Sequence, residues 1–432
     1  MPRSNVLTSV NIDVEEKTQS LAVDPDQPFL ILVAGNFSGG ASRNRRPIQV
    51  DRDNFDQVMA LLAPQLQLAA GGSSVAVSFR ELDDFHPDRL FQRVAALREV
   101  PRETAQAPGS AATAANVSGA DVLRMMMGES PAPAGAAPRR SEWDQMLHDL
   151  VAPYAEREAA PASPAVNATL EAGMRAFLHQ PAFQELEAAW RGLDFLTRRL
   201  ETGTELKVYL LDLPQSDLAQ GPGLADLARA LESQRFAVIA GIYYFAETDE
   251  ELLTRLAAIS QEANAPLLAG LAPHIVGLAR VFPNLRQSAK ARWVGLALPR
   301  FLLRLPYGKE TSSIDSFAFE EMPSPPRHQS YLWGNPSLAC AYLLGEAFQR
   351  YGWDLQPGVV RDIESLPAHV YREDGEAQLK PCAEVLLTEA AAEMLLERGI
   401  MPLASIKGSD RVRLVRFQSA ANPAAPLAGQ WD

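Results

Sequence analysis

Residues 101–165 cannot build a packed core, and that divides the chain. The stretch is dominated by Ala, Pro, Gly and Ser, as in Ala105-Gln106-Ala107-Pro108-Gly109-Ser110-Ala111-Ala112 and Pro131-Ala132-Pro133-Ala134-Gly135-Ala136. Such a composition buries too little apolar surface to offset the entropy of ordering it. Folding must therefore happen on either side of a linker. Two islands interrupt the linker, one carrying Val122, Leu123, Met125, Met126 and Met127, the other Trp143, Met146, Leu147, Leu150 and Val151. Both have the spacing of short amphipathic helices, which are marginal alone and need a docking surface. That surface is either the chain's own folded parts or a partner.

Residues 1–100 read as a small α/β unit. Val10, Ile12 and Val14 alternate with Asn11, Asp13 and Glu15, the period of a half-buried strand. Asp24-Pro25-Asp26-Gln27-Pro28 separates this segment from the next apolar run. It is either an arm that pairs with another chain's sheet edge or an ordinary strand of its own sheet. Phe29 to Ala34 is continuously apolar, as a strand buried on both faces is. Gly35-Asn36-Phe37-Ser38-Gly39-Gly40 then forces a turn. Asp53 is read as the N-cap of a helix carrying Phe55, Val58, Met59, Leu61 and Leu62. Val75, Val77 and Phe79 suggest a strand, and Phe85, Leu90, Phe91, Val94 and Leu97 a helix.

Residues 166–420 read as a larger unit. Phe177, Leu178, Phe183, Leu186, Trp190, Leu193, Phe195 and Leu196 follow helical spacing. Strands are expected at Leu206–Leu211, Phe236–Tyr243 and Ala265–Gly270, with a helix at Leu252–Ala263. Trp293–Leu298, Leu338–Phe348 and Leu395–Leu403 extend the alternation. Strand–helix alternation predicts an α/β (mixed α+β) fold with a largely parallel sheet. Residues 421–432, rich in Pro and Ala, are expected to form a flexible tail.

Charge and motif chemistry narrow the function. The formal charge is −13, from 53 acidic against 40 basic side chains, which disfavours nucleic acid or anionic membrane as the main partner. Arg43, Arg45 and Arg46 sit close together and form either a local basic patch or, the reading preferred, a solvated loop. Cys340 and Cys382 lack a C-x-x-C partner, no signal peptide is read near the start, and no apolar run is long enough to cross a bilayer. A cytoplasmic location follows, with no membrane insertion. The Gly35–Gly40 loop comes after a strand but lacks the Gly-Lys-Ser/Thr ending of a phosphate loop. Asp51-Arg52-Asp53-Asn54-Phe55-Asp56 has alternating carboxylates, but a calcium loop needs Gly and Glu where Asp56 and Leu62 stand. His86, His148, His179, His274, His328 and His369 show no metal-ligand spacing. No catalytic, cofactor or metal residue is therefore assigned. Arg300, Arg304, Tyr307 and Lys309 are dense for a core segment. They are read as a polar network that either seats one subunit or domain against another or bridges within one domain.

The two blocks resemble two different proteins. Val10-Asn11-Ile12-Asp13-Val14, Asp51-Arg52-Asp53-Asn54-Phe55-Asp56-Gln57-Val58-Met59 and Phe85-His86-Pro87-Asp88 resemble the small sheath subunit of type VI secretion systems (TssB, or VipA). The second block resembles the large sheath subunit (TssC, or VipB). The resemblance rests on Leu178-His179-Gln180-Pro181-Ala182-Phe183, Tyr243-Tyr244-Phe245, Ala263-Asn264-Ala265-Pro266, Leu298-Pro299-Arg300 through Lys309-Glu310-Thr311, and Phe317-x-Phe319-Glu320-Glu321.

What the resemblance implies is structural rather than catalytic. In that family the two subunits form a heterodimer that polymerises into a contractile helical sheath around an inner tube, with extended arms adding strands to neighbouring subunits. A ring-shaped ATPase, ClpV, recycles contracted sheath by gripping a helix near the start of the large subunit. The resemblance thus implies a fused sheath-subunit homologue, shortened at its C-terminal end. Its expected partners are sheath subunits or copies of itself, with baseplate, inner tube or ClpV as further candidates. The strand arm Val10, Ile12, Val14 and the linker positions Val122, Leu123, Met126, Trp143 and Leu147 are the expected interaction residues. The alternative function is a regulatory module that sequesters sheath subunits or ClpV.

Overall fold

The computed structural model describes residues 26–40, 45–98, 164–277, 280–323, 325–373 and 375–432. The expected strand arm and both linker helices lie outside these residues.

The first block supplies strands β1 (Phe29–Gly35) and β2 (Ile48–Val50) and helix α1 (Phe55–Leu62). A hairpin of β3 (Gln65–Ala70) and β4 (Ser73–Ser78) comes next, then α2 (Pro87–Arg93) and α3 (Ala95–Arg98). The second block begins with α4 (Pro164–Leu178) and α5 (Pro181–Arg199). It continues through β5 (Leu206–Asp212), α6 (Gln215–Gln220), α7 (Gly223–Ser233), β6 (Val238–Phe245), α8 (Glu250–Glu262) and β7 (Leu267–Leu271). Next come α9 (Pro283–Gln287), β8 (Val294–Leu298), β9 (Phe301–Leu302), β10 (Trp333–Gly334) and α10 (Pro336–Tyr351). Last are β11 (Asp362–Ile363), β12 (Val370–Glu373), β13 (Glu376–Leu379), α11 (Glu389–Glu397), β14 (Ile400–Ser405) and β15 (Val412–Leu414).

The two blocks share one sheet. Its nine strands run β11-β15-β14-β8-β7-β6-β1-β5-β2. Strand β1 of the first block lies between β5 and β6 of the second, parallel to both, with Phe29 opposite Leu206 and Ile31 opposite Val238. Its unbroken apolar run has a direct cause: alternate side chains feed two cores. Phe29, Ile31 and Val33 pack on one face, under α4, α5 and α10; Leu30, Leu32 and Ala34 pack on the other, with α7 and α8. The six central strands are parallel, as the strand–helix alternation predicts, and β2, β15 and β11 close the edges antiparallel.

Two local expectations are corrected, and one strand is added. Asp53 does not cap α1; Asn54 occupies that position, and the Asp51 carboxylate holds the preceding turn by accepting from the Asp53 and Asn54 amides at 3.0 and 2.9 Å. Three adjacent polar residues look alike as caps in a sequence, and the turn geometry chooses among them. The structure adds strand β3, with Leu66, Leu68 and Ala70 buried and Gln65, Gln67 and Ala69 facing outward; a short run ending in alanines, a residue depleted in strands, carries a weak signal. Residues 421–432 are no loose tail: Leu427 and Ala428 are buried, and Gln430 donates to the Phe236 carbonyl at 2.7 Å. Composition read this segment as linker, but one leucine and backbone bonds such as Ala428 N–H to Arg292 C=O at 2.8 Å anchor it.

Candidate functional site

The polar network begins on α5. Glu187 and Arg191 stand one helical turn apart on its inner face, and Glu187 is fully buried. A buried carboxylate needs a cation with matching geometry. Arg304 supplies it from the loop after β9, donating to Glu187 Oε1 and Oε2 at 2.8 and 3.2 Å. The same guanidinium donates to Glu321 at 2.7 and 3.1 Å, and Arg191 donates to Glu187 at 2.7 Å. Tyr307 completes the cluster: its hydroxyl accepts from Arg191 at 3.0 Å, its amide donates to Glu321 at 2.8 Å, and its ring lies 4.2 Å from the Arg304 guanidinium carbon. His179 approaches Glu321 at 3.3 Å.

Electrostatics follow from this packing. Burial by itself would raise the Glu321 carboxyl, but Arg304 and the hydrogen bonds from His179 and the Tyr307 amide outweigh it and hold it at about 2. Burial opposes the charge on Arg304 too, yet Glu187 and Glu321 push its pKa well above the ordinary value. Two arginines thus neutralise two carboxylates within a protein interior.

The network sits against the first block. The His86 ring meets the Tyr307 ring edge-on at 4.9 Å, and its Nδ1 accepts from the Asp88 amide to cap α2. The Asp88 carboxylate in turn accepts from the Asp315 and Ser316 amides at 3.1 and 2.8 Å. Phe79 and Phe85 pack on Phe183, with centroids 6.0 and 5.6 Å away. The Gln180 side-chain amide docks on β3, accepting from the Ala69 amide and donating to its carbonyl. A cleft of about 390 Å³ opens at this seam, lined by Asp83, His86, Asp88, Arg89, Gln92, Asp315 and Ser316.

Of the four residues read as a network, the structure joins two. Arg304 and Tyr307 lie in it. Arg300 instead grips Glu384 with two bonds, at 2.9 and 2.6 Å. Burial would raise Glu384, and Arg300 and His328 bring it down to about 2. Lys309 stays outside the network, its amide donating to the Glu320 carboxylate at 2.9 Å. Glu187, Arg191, Glu321 and His179 were not foreseen as members. Their signal was present in an ion pair at helical spacing beside Trp190 and in the two glutamates after Phe319.

The Gly35–Gly40 loop is committed internally. The amides of Phe37 and Ser38 donate to Asp212 Oδ1 at 2.8 and 3.1 Å, and the Phe37 carbonyl accepts from Trp190 Nε1 at 2.9 Å. The two amides that a phosphate would need already hold a carboxylate. Among the described residues no group of three or more His, Cys, Asp or Glu side chains is placed to hold a metal ion, and no helix is long and apolar enough to cross a membrane.

Comparison with known proteins places these features. The VipB (EvpB) tail sheath N-terminal domain model matches residues 163–235 and 233–421, and the type VI secretion VipA model matches residues 5–105. The type VI secretion system sheath protein TssC1 of Pseudomonas aeruginosa is 30% identical over 302 residues, which cover 60% of this chain and 61% of that protein. The match thus spans about three-fifths of the relative's length. A chain of the anti-feeding prophage baseplate aligns at 14% identity with a TM-score of 0.33, over 54% of this chain and 51% of that one, too weak to bear on the fold.

Proposed function

Because the chain belongs to the type VI secretion tail sheath family, with a VipA-like block ahead of a VipB-like one, we propose that it is a non-catalytic, cytoplasmic structural component that associates with the sheath or baseplate by strand pairing. The observation that carries this reading is the insertion of β1 between β5 and β6. It gives the two blocks one sheet and shared cores, and their place on one polypeptide fixes a one-to-one ratio, which suits a building block. The network's chemistry agrees, since Glu187 and Glu321 are matched to Arg304 rather than left to act on a substrate. The pairing element is the Val10, Ile12, Val14 segment, and the linker islands around Val122, Leu123, Met126, Trp143 and Leu147 are secondary docking elements. Negative-stain imaging of the purified chain, with and without separately expressed sheath subunits, tests the reading. Incorporation into their polymers, lost on deleting residues 9–15, supports it. Long regular tubes from the chain alone overturn its accessory character.

A further inference from the structure

The hairpin of β12 and β13 is a sheet of its own, outside the nine strands, with Val370 opposite Leu379. Its two feet are joined by the Lys380 amide, which donates to the His369 carbonyl at 2.8 Å. Both feet rest on Tyr331 and Trp333, which form a small apolar core with Leu302. His369 Nδ1 lies 2.6 Å from the Tyr331 hydroxyl. The Lys380 ammonium lies 5.2 Å from the centre of the Tyr331 ring and 5.9 Å from that of Trp333. It is also 2.8 Å from Nδ1 of His328, in the short turn ahead of β10.

That last contact fixes a protonation state. An ammonium donates and cannot accept, so His328 Nδ1 is the acceptor and the imidazole is neutral, its proton on Nε2. Nε2 is buried without a hydrogen-bond partner, and Glu384 Oε1 stands 3.7 Å away, just beyond bonding distance. The ring therefore has two alternatives. Neutral, it holds Lys380. Charged, it is repelled by Lys380 and Arg300 and drawn to Glu384, and Lys380 loses its acceptor. Burial, with Lys380 and Arg300, keeps the His328 pKa below its ordinary value against the pull of Glu384. At the other foot burial lowers His369 to about 4, with Glu321 opposing and Lys380 adding to the effect. The Tyr371 ring of β12 also faces His369, with centroids 6.0 Å apart. Both imidazoles thus resist a proton in the closed hairpin that they would take once it opens. We propose that the β12–β13 hairpin is an acid-released strap: protonation of His328 and His369 frees its feet and uncovers Tyr331 and Trp333.

The strap stands apart from strand pairing, and its test needs no partner. Hydrogen–deuterium exchange of the full-length chain is followed by peptide mass from pH 7.5 to 5.5, each rate divided by the intrinsic rate at that pH. A histidine that regains its ordinary pKa of about 6.5 only in the open state favours opening by up to about tenfold at pH 5.5. With both histidines, exchange across residues 370–379 should quicken by up to about a hundredfold, while the amides of β1 and β6 keep their protection. His328→Gln retains an acceptor for Lys380 but does not titrate, so it should cut the rise to about tenfold. Adding His369→Gln should abolish it. A flat wild-type curve, a rise shared by β1 and β6, or a rise that survives both substitutions overturns the proposal. The first two are read on the wild-type chain, whatever the variants do to folding.

Discussion

Removing Arg304 would leave Glu187 and Glu321 facing each other without their shared cation. Breaking a buried pair by deleting one partner costs about 3–5 kcal/mol. Arg304→Leu should therefore lower the unfolding free energy by that amount in denaturant titration, whereas Lys309→Ala, whose side chain lies outside the network, should stay within ~0.5 kcal/mol of wild type. The same cluster sets an acid limit. Glu321 has a folded pKa of about 2, depressed below its unfolded value. A depressed carboxyl contributes stability that is full above the unfolded pKa and is lost as pH falls through the folded one. Glu384 behaves alike. Burial also lowers His369 to about 4, so the unfolded chain binds its proton first. All three act in one direction. Stability should fall from about pH 6.5 to about 4 through His369, and further from about 4.5 to about 2 through the carboxylates. Thermal melts across that range check this, and Arg304→Leu should flatten the lower step.

At the scale of elements, the loop after β1 is set by one glycine. Gly39 has φ +75°, and a Cβ there would collide with the Gln65 carbonyl oxygen. Gly39→Ala meets both left-handed backbone and a backbone clash, so it should cost several kcal/mol. Gly375, at φ +83° with nothing within 4 Å, should cost only about 1 kcal/mol when changed to Ala. Melting temperatures of the two variants give the comparison. These elements also show what a sequence can carry. The apolar run Phe29–Ala34 announced a strand buried on both faces, and of Arg300, Arg304, Tyr307 and Lys309, read as a polar network, the structure joins Arg304 and Tyr307. Neither announced its partners. A continuous apolar run says that a strand is buried, but the strands beside it are chosen by contacts more than 170 residues away. The acids that answer Arg304 come from a helix and a loop far apart in the chain, and spacing alone cannot join them.

For the whole molecule, the linker marked a boundary in composition that the sheet does not respect. Residues on both sides of it build the same two cores, and Phe29, Trp190 and Leu338 belong to one of them. The association of the blocks should therefore not depend on the linker's continuity. Burying strand β1 alone contributes several apolar side chains at about 1.5–3 kcal/mol each, more than enough to hold two fragments together. The direct test is to place a protease site within residues 101–163, cut the folded protein and run it by size exclusion without denaturant. The account predicts that both fragments co-elute as one particle and separate only when unfolded. Two fragments that part under native conditions, each still folded, would contradict it.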